Sequence, residues 1–86
     1  MKEVMMFMQP ACPHCKKALS LMEEIRLGEP RYKDVAVKQI DETKDPDFAG
    51  KFDYYYVPTF FVGDEKLHEG VPSKEAVEKV FAAALA

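Results

Sequence analysis

Residues 4–25 read VMMFMQPACPHCKKALSLMEEI: an apolar run, a proline, two cysteines separated by Pro13 and His14, and an amphipathic stretch. From Val4 to Met8 the apolar residues do not alternate with polar ones, the pattern of a strand covered on both faces. Pro10 and the CPHC segment stop that strand. Pro13 then stands where a first helical turn tolerates a residue without an N–H. Beyond it, Cys15, Ala18, Leu19, Met22 and Ile25 recur at helical spacing, with Lys16, Lys17, Glu23, Glu24 and Arg26 on the other face. Gly28 and Pro30 end the helix.

The remainder of the chain continues in the same short units. A second strand is expected over Val35–Ile40. A short helix follows at KDPDF, with Asp45 at its N-cap, Pro46 in its first turn and Phe48, Ala49 and Phe52 turned inward. The stretch YYYVPTFFVGDEKLHEG, residues 54–70, contains two β-rich runs joined at Gly63-Asp64-Glu65, which predicts an antiparallel hairpin. Ser73 caps a last helix that buries Val77, Val80, Phe81 and Ala84. The order is βαβαββα, and no connection is long enough to hold a domain boundary, so residues 1–86 are expected to form one domain.

Composition excludes several classes of function. The 86 residues carry a net charge of −3 and no long block of like charge, so no surface is expected for a nucleic acid backbone. The apolar N-terminal run is far shorter than the ~18 residues of a membrane span, and no small-residue cleavage site follows it. A cytoplasmic monomer without membrane contact is the expectation.

The two cysteines are the only ones in the chain, and their placement matters more than their spacing. Cys12 falls at the junction of a buried strand and a helix N-terminus, where unpaired backbone N–H groups and the helix dipole favour a thiolate. It is the candidate nucleophile. Cys15 lies one turn further on, on the apolar face. Shielded there, it is the candidate resolving cysteine, able to attack a mixed disulfide already formed on Cys12. Pro13 and His14, between them, are candidates for tuning the thiolate, His14 through its imidazole N–H or charge.

Three other readings of the pair stay open on residues alone. A structural disulfide across so short a loop gains little chain entropy. A zinc site has four candidate ligands in Cys12, Cys15, His14 and His68, but without the usual ligand spacing. Two inert buried thiols would require Cys12 to be hidden at a helix start.

CPHC between strand and helix, followed by VPTFFVGDE, resembles the thioredoxin superfamily, and the likeness runs from the first strand to the last helix. It implies an α/β thioredoxin-like fold: a central four-stranded mixed sheet flanked by three helices. It also implies a cis proline, Pro58 after Val57, opening a strand that passes beside the cysteines, with Tyr56, Val57 and Pro58 meeting the substrate. The superfamily pattern has glycine where Asp53 stands, so Asp53 is expected in the left-handed conformation. Tyr54 should point inward and Tyr55 outward.

Size and element order are similar to glutaredoxins, but their glutathione-binding marks are replaced by Gln9, Tyr56 and Gly70-Val71. The resemblance therefore implies a thiol-disulfide oxidoreductase acting on disulfide-containing proteins, with a reductase or small thiol as electron donor. It needs no cofactor beyond the redox-active Cys12–Cys15 pair. The buried acid of thioredoxin's central strand is Met6 here, so the proton of Cys15 needs another acceptor. The alternative class is a non-catalytic thioredoxin-like module that senses redox state or binds a partner.

Overall fold

The computed structural model describes all residues, 1–86. Strand β1 (Val4–Met8) is followed by helix α1 (Pro13–Gly28), a 3-10 turn at Pro30–Tyr32, strand β2 (Val37–Asp41), the short helix α2 (Pro46–Ala49), the hairpin β3 (Thr59–Val62) and β4 (Glu65–Glu69), and helix α3 (Lys74–Leu85). The sheet order is β2-β1-β3-β4, with β1 and β2 parallel and the other pairs antiparallel. It is a thioredoxin-like α/β fold.

The uninterrupted apolar run of β1 is explained by its place between two strands and two layers. Val4 and Met6 face a core that α1 and α3 close with Ala18, Met22, Ile25, Val77, Val80 and Phe81. Met5 and Phe7 face the opposite side, where α2 and the following segment supply Ala49, Phe48, Phe52 and Tyr54. On that side Phe7 stacks on Tyr54 at 4.8 Å between ring centroids and meets Phe61 edge-on at 5.8 Å. Such aromatic pairs add about 0.5–1.5 kcal/mol each beyond the area they bury.

Two local expectations are corrected. Val35 is buried but lies ahead of β2, because the Arg26 guanidinium takes its carbonyl through Nε at 3.2 Å and Nη2 at 3.0 Å. The strand accordingly starts at Val37. Asp53 is not left-handed: no residue other than glycine has a positive φ. Asp45 does precede α2, though without a side-chain hydrogen bond to the helix. Ser73 Oγ accepts from the Ala76 N–H at 3.1 Å and caps α3. The hairpin turns at Gly63, whose φ of 59° is one that side chains rarely adopt.

The hairpin also carries a β-bulge. Phe60 pairs with His68 but Phe61 pairs with Lys66, leaving Leu67 as the extra residue on β4.

Phe7 is fully buried at the centre of the aromatic cluster. Phe7→Ala should therefore cost about 3–5 kcal/mol, read as a lower urea midpoint at unchanged slope. Leu27→Ala, at a side chain 80% exposed, should stay within about 0.5 kcal/mol of wild type.

Candidate active site

Strand β1 delivers the chain to Gln9 and Pro10, and Cys12 then becomes the N-cap of α1, with φ −80° and ψ 116°. Its N–H donates to the Gln9 carbonyl at 3.1 Å, and its own carbonyl receives the Lys16 N–H at 3.1 Å. Where a serine or aspartate would usually cap the helix through oxygen, Cys12 accepts the Cys15 N–H on Sγ at 3.2 Å. The half-buried sulfur thus sits at the positive end of α1. Pro13 fills the first helical position and has no N–H to offer.

Cys15 is 1% exposed and packs with the α1–α3 core. Burial, and then its hydrogen bond with Cys12, push its thiol up to about 12, and the negative charge of Glu42 acts in the same direction. A backbone hydrogen bond from Gln9 opposes them. Both cysteines are free thiols. The pair is asymmetric, with one sulfur reachable from solvent and the other enclosed.

Across from Cys12 lies the segment that leads into β3. The Cys12 thiol donates to the Val57 carbonyl at 3.8 Å. The Val57–Pro58 peptide is cis, and Pro58 is buried. The Pro58 carbonyl accepts the Gly70 N–H at 3.0 Å, and Thr59 Oγ1 donates to the Tyr56 carbonyl. Cys12, Cys15, Val57 and Pro58 therefore come together. Tyr56 is next to them in the chain, 71% exposed. His14 is exposed and makes no hydrogen bond to Cys12; the donor at that sulfur is the Cys15 backbone. His68 lies against the Val71 carbonyl at 2.9 Å, and no three His, Cys, Asp or Glu side chains converge to hold a metal ion.

Two carboxylates were not singled out by sequence. Half-buried Glu42, just beyond β2, accepts from the Gln9 amide and from Tyr54 Oη at 2.5 Å. Burial, then Glu42, hold the Tyr54 hydroxyl above the ordinary tyrosine range. The inward position expected for Tyr54 was the only signal toward this contact. The second carboxylate, Glu69, accepts the N–H groups of Tyr55 at 2.5 Å and Tyr56 at 2.9 Å. The largest cleft, about 420 Å³, lies on the α2 side between Glu42, Pro46, Phe52 and Tyr55 and contains neither thiol. An enclosed cavity at the sulfurs is not needed for exchange with a protein disulfide, which requires an accessible sulfur and an edge for the partner chain.

Residues 2–82 match the model of the thioredoxin domain family. A thioredoxin of Methanocaldococcus jannaschii is 31% identical over 75 residues, covering 87% of this chain and 86% of that one. Among solved structures, reduced desulfothioredoxin from Desulfovibrio vulgaris Hildenborough superposes with a TM-score of 0.67 at 21% identity, over 95% of this chain and 80% of that one. A protein disulfide oxidoreductase from Aeropyrum pernix gives 0.65 at 25% identity; the match covers 96% of this chain but 37% of that one. With a family model spanning nearly its whole length and a relative above 30% identity, the chain belongs to the thioredoxin family.

Proposed function

We propose that the chain is a thiol-disulfide oxidoreductase acting on disulfides of proteins. The observation that carries this reading is the asymmetry of the pair: Cys12 Sγ at a helix N-terminus, receiving an N–H, and Cys15 enclosed one turn deeper. Cys12, as thiolate, attacks one sulfur of the substrate disulfide. The other substrate sulfur leaves as a thiolate and takes a proton from water. Cys15 then gives up its proton and attacks Cys12 Sγ, closing the Cys12–Cys15 disulfide and expelling the second substrate sulfur. Two electrons pass from the dithiol to the substrate, and an external thiol or reductase returns them.

The substrate chain lies extended beside Val57 and pairs with its backbone, flanked by Tyr56. Pro13, whose fixed φ suits the first helical position, starts the helix directly behind the sulfur, and His14, when protonated, adds a positive charge nearby.

In a dithiothreitol-driven insulin reduction assay the wild type should accelerate turbidity, and Cys12→Ser should abolish the acceleration. Cys15→Ser should accumulate mixed disulfides on Cys12, detected by mass spectrometry. A wild-type chain without acceleration would instead support the non-catalytic module.

Resolution should depend on pH, because burial, the first cause of the raised Cys15 value, persists when Cys12 is bonded to the substrate and leaves only a small fraction of the Cys15 thiol ionised at neutral pH. Raising the pH increases that fraction. Release of a preformed mixed disulfide should accelerate by about tenfold per unit between pH 6 and 9. A flat profile would mean that a group of the protein removes the proton during attack.

Gln9 and Tyr56 stand where glutathione-binding side chains would be expected, so protein disulfides should turn over faster than a glutathionylated peptide. Saturable, efficient deglutathionylation would reverse this assignment.

A further inference from the structure

The bulge in the hairpin brings together two side chains that a regular strand would separate. Residues three apart in a strand point to opposite faces. On β4 the extra residue, Leu67, shifts the alternation, so that Lys66 pairs with Phe61 and Glu69 with Thr59. Phe61 faces the aromatic core on the α2 side, and Thr59, two residues before it, points the same way. Lys66 and Glu69 therefore meet on that face, with Lys66 Nζ 2.7 Å from Glu69 Oε1.

Both reach the segment that precedes Pro58. Lys66 Nζ donates to the Asp53 carbonyl at 3.1 Å, and Glu69 Oε2 takes the N–H groups of Tyr55 and Tyr56. Tyr55 and Tyr56 are 85% and 71% exposed, so their side chains do little to hold the backbone in place. Their N–H groups belong to no strand ladder. The anchor is supplied instead by the charged oxygen of Glu69.

We propose that Glu69 is a positioning residue for substrate recognition: by holding the Tyr55 and Tyr56 N–H groups, it fixes the segment that presents Val57 to Cys12 and to the substrate chain. This rests on the oxidoreductase reading above. Preorganising an edge removes the cost of ordering it when the partner binds, so the effect should fall on affinity for a peptide disulfide rather than on sulfur chemistry. The strap persists at working pH. Lys66 first, then the two N–H groups, hold the Glu69 carboxyl down at about 2, from an ordinary 4.5. The depressed value means that its contribution is full above about 4.5 and is lost only as pH falls through about 2.

The test compares full-length wild type, Glu69→Ala and Glu69→Gln on two oxidants: insulin, which offers a backbone to pair, and dithiobis(nitrobenzoate), which does not. Glu69→Ala should raise KM for insulin by about tenfold with kcat little changed. Attack on the small disulfide should slow far less. Glu69→Gln keeps an acceptor oxygen and should fall between, and it provides the reading if the alanine variant fails to fold. Amide hydrogen exchange at Tyr55, Tyr56 and Val57 should speed up in Glu69→Ala while amides of β1 and β3 stay protected. An unchanged KM for insulin, or equal losses on both oxidants, overturns the proposal and leaves the oxidoreductase reading intact. A wild-type chain inert toward both oxidants overturns that reading, and the proposal with it.

Discussion

The hydrogen bond from the Cys15 N–H to Cys12 Sγ joins the fold of this chain to its chemistry. An N-cap is needed at the start of α1 because the first backbone N–H groups of a helix have no partners within it. Oxygen would cap better, since neutral sulfur is a weak acceptor. The helix tolerates the weaker cap because its stability comes from elsewhere: Cys15, Ala18, Met22 and Ile25 are buried along one stripe against β1 and α3. Burial of that kind contributes about 1.5–3 kcal/mol for each large apolar side chain, more than the ~1 kcal/mol by which a good cap exceeds a poor one. The same stripe encloses the second thiol. Packing that compensates for a poor cap thus also creates the difference between the two sulfurs.

The other half of the site is held by polar contacts as well as by packing. Between α2 and β3 the chain runs through Asp53–Val57 without regular structure. Of its side chains, Tyr54 and Val57 are half-buried while Asp53, Tyr55 and Tyr56 are exposed. Tyr54 is drawn inward onto Phe7 and ends on Glu42. Glu42 is in turn tied to Gln9, three residues before Cys12, so the aromatic layer and the turn that carries the cysteine share a carboxylate. Burying one there is costly unless its oxygens are satisfied, and here each oxygen has a donor.

Most of the architecture was legible because it depends on periodicity and punctuation. The unbroken apolar run at Val4–Met8, the helical stripe from Cys15 to Ile25 and Ser73 before the last helix each give a local signal, and each element forms where that signal lies. What escaped depends on contacts between residues distant in sequence. The start of β2 moves to Val37 because Arg26 takes the Val35 carbonyl. Asp53 avoids the left-handed region, and its carbonyl is taken by Lys66 from the hairpin. Lys66 and Glu69 could not be paired by eye, since strand periodicity sets them on opposite faces until a bulge is known. In the site, Cys12 and Cys15 stood out as the only cysteines, at a strand-helix junction, and Pro58 through the family pattern. Glu42 and Glu69 looked like two ordinary acids among many.

That the two halves meet at all follows from strand direction. β1 and β3 are antiparallel neighbours in the register Phe7 with Thr59 and Met6 with Phe60. The C-terminal end of β1, which leads to Cys12, therefore lies at the same sheet end as the N-terminal end of β3, which follows Pro58. A slip of one residue would turn Phe60 from the α1–α3 core to the α2 side and Phe61 the other way. Three of the four β3 residues are large and apolar, and all four are buried, so the core on both faces resists that slip. The register behind the 3.8 Å approach of Cys12 Sγ to the Val57 carbonyl is thus set by hydrophobic packing well inside the sheet, and the contacts of Glu69 with Tyr55 and Tyr56 hold the segment that continues it. Alongside those contacts, the alignment of a binding edge with a reactive sulfur depends on core residues that touch neither.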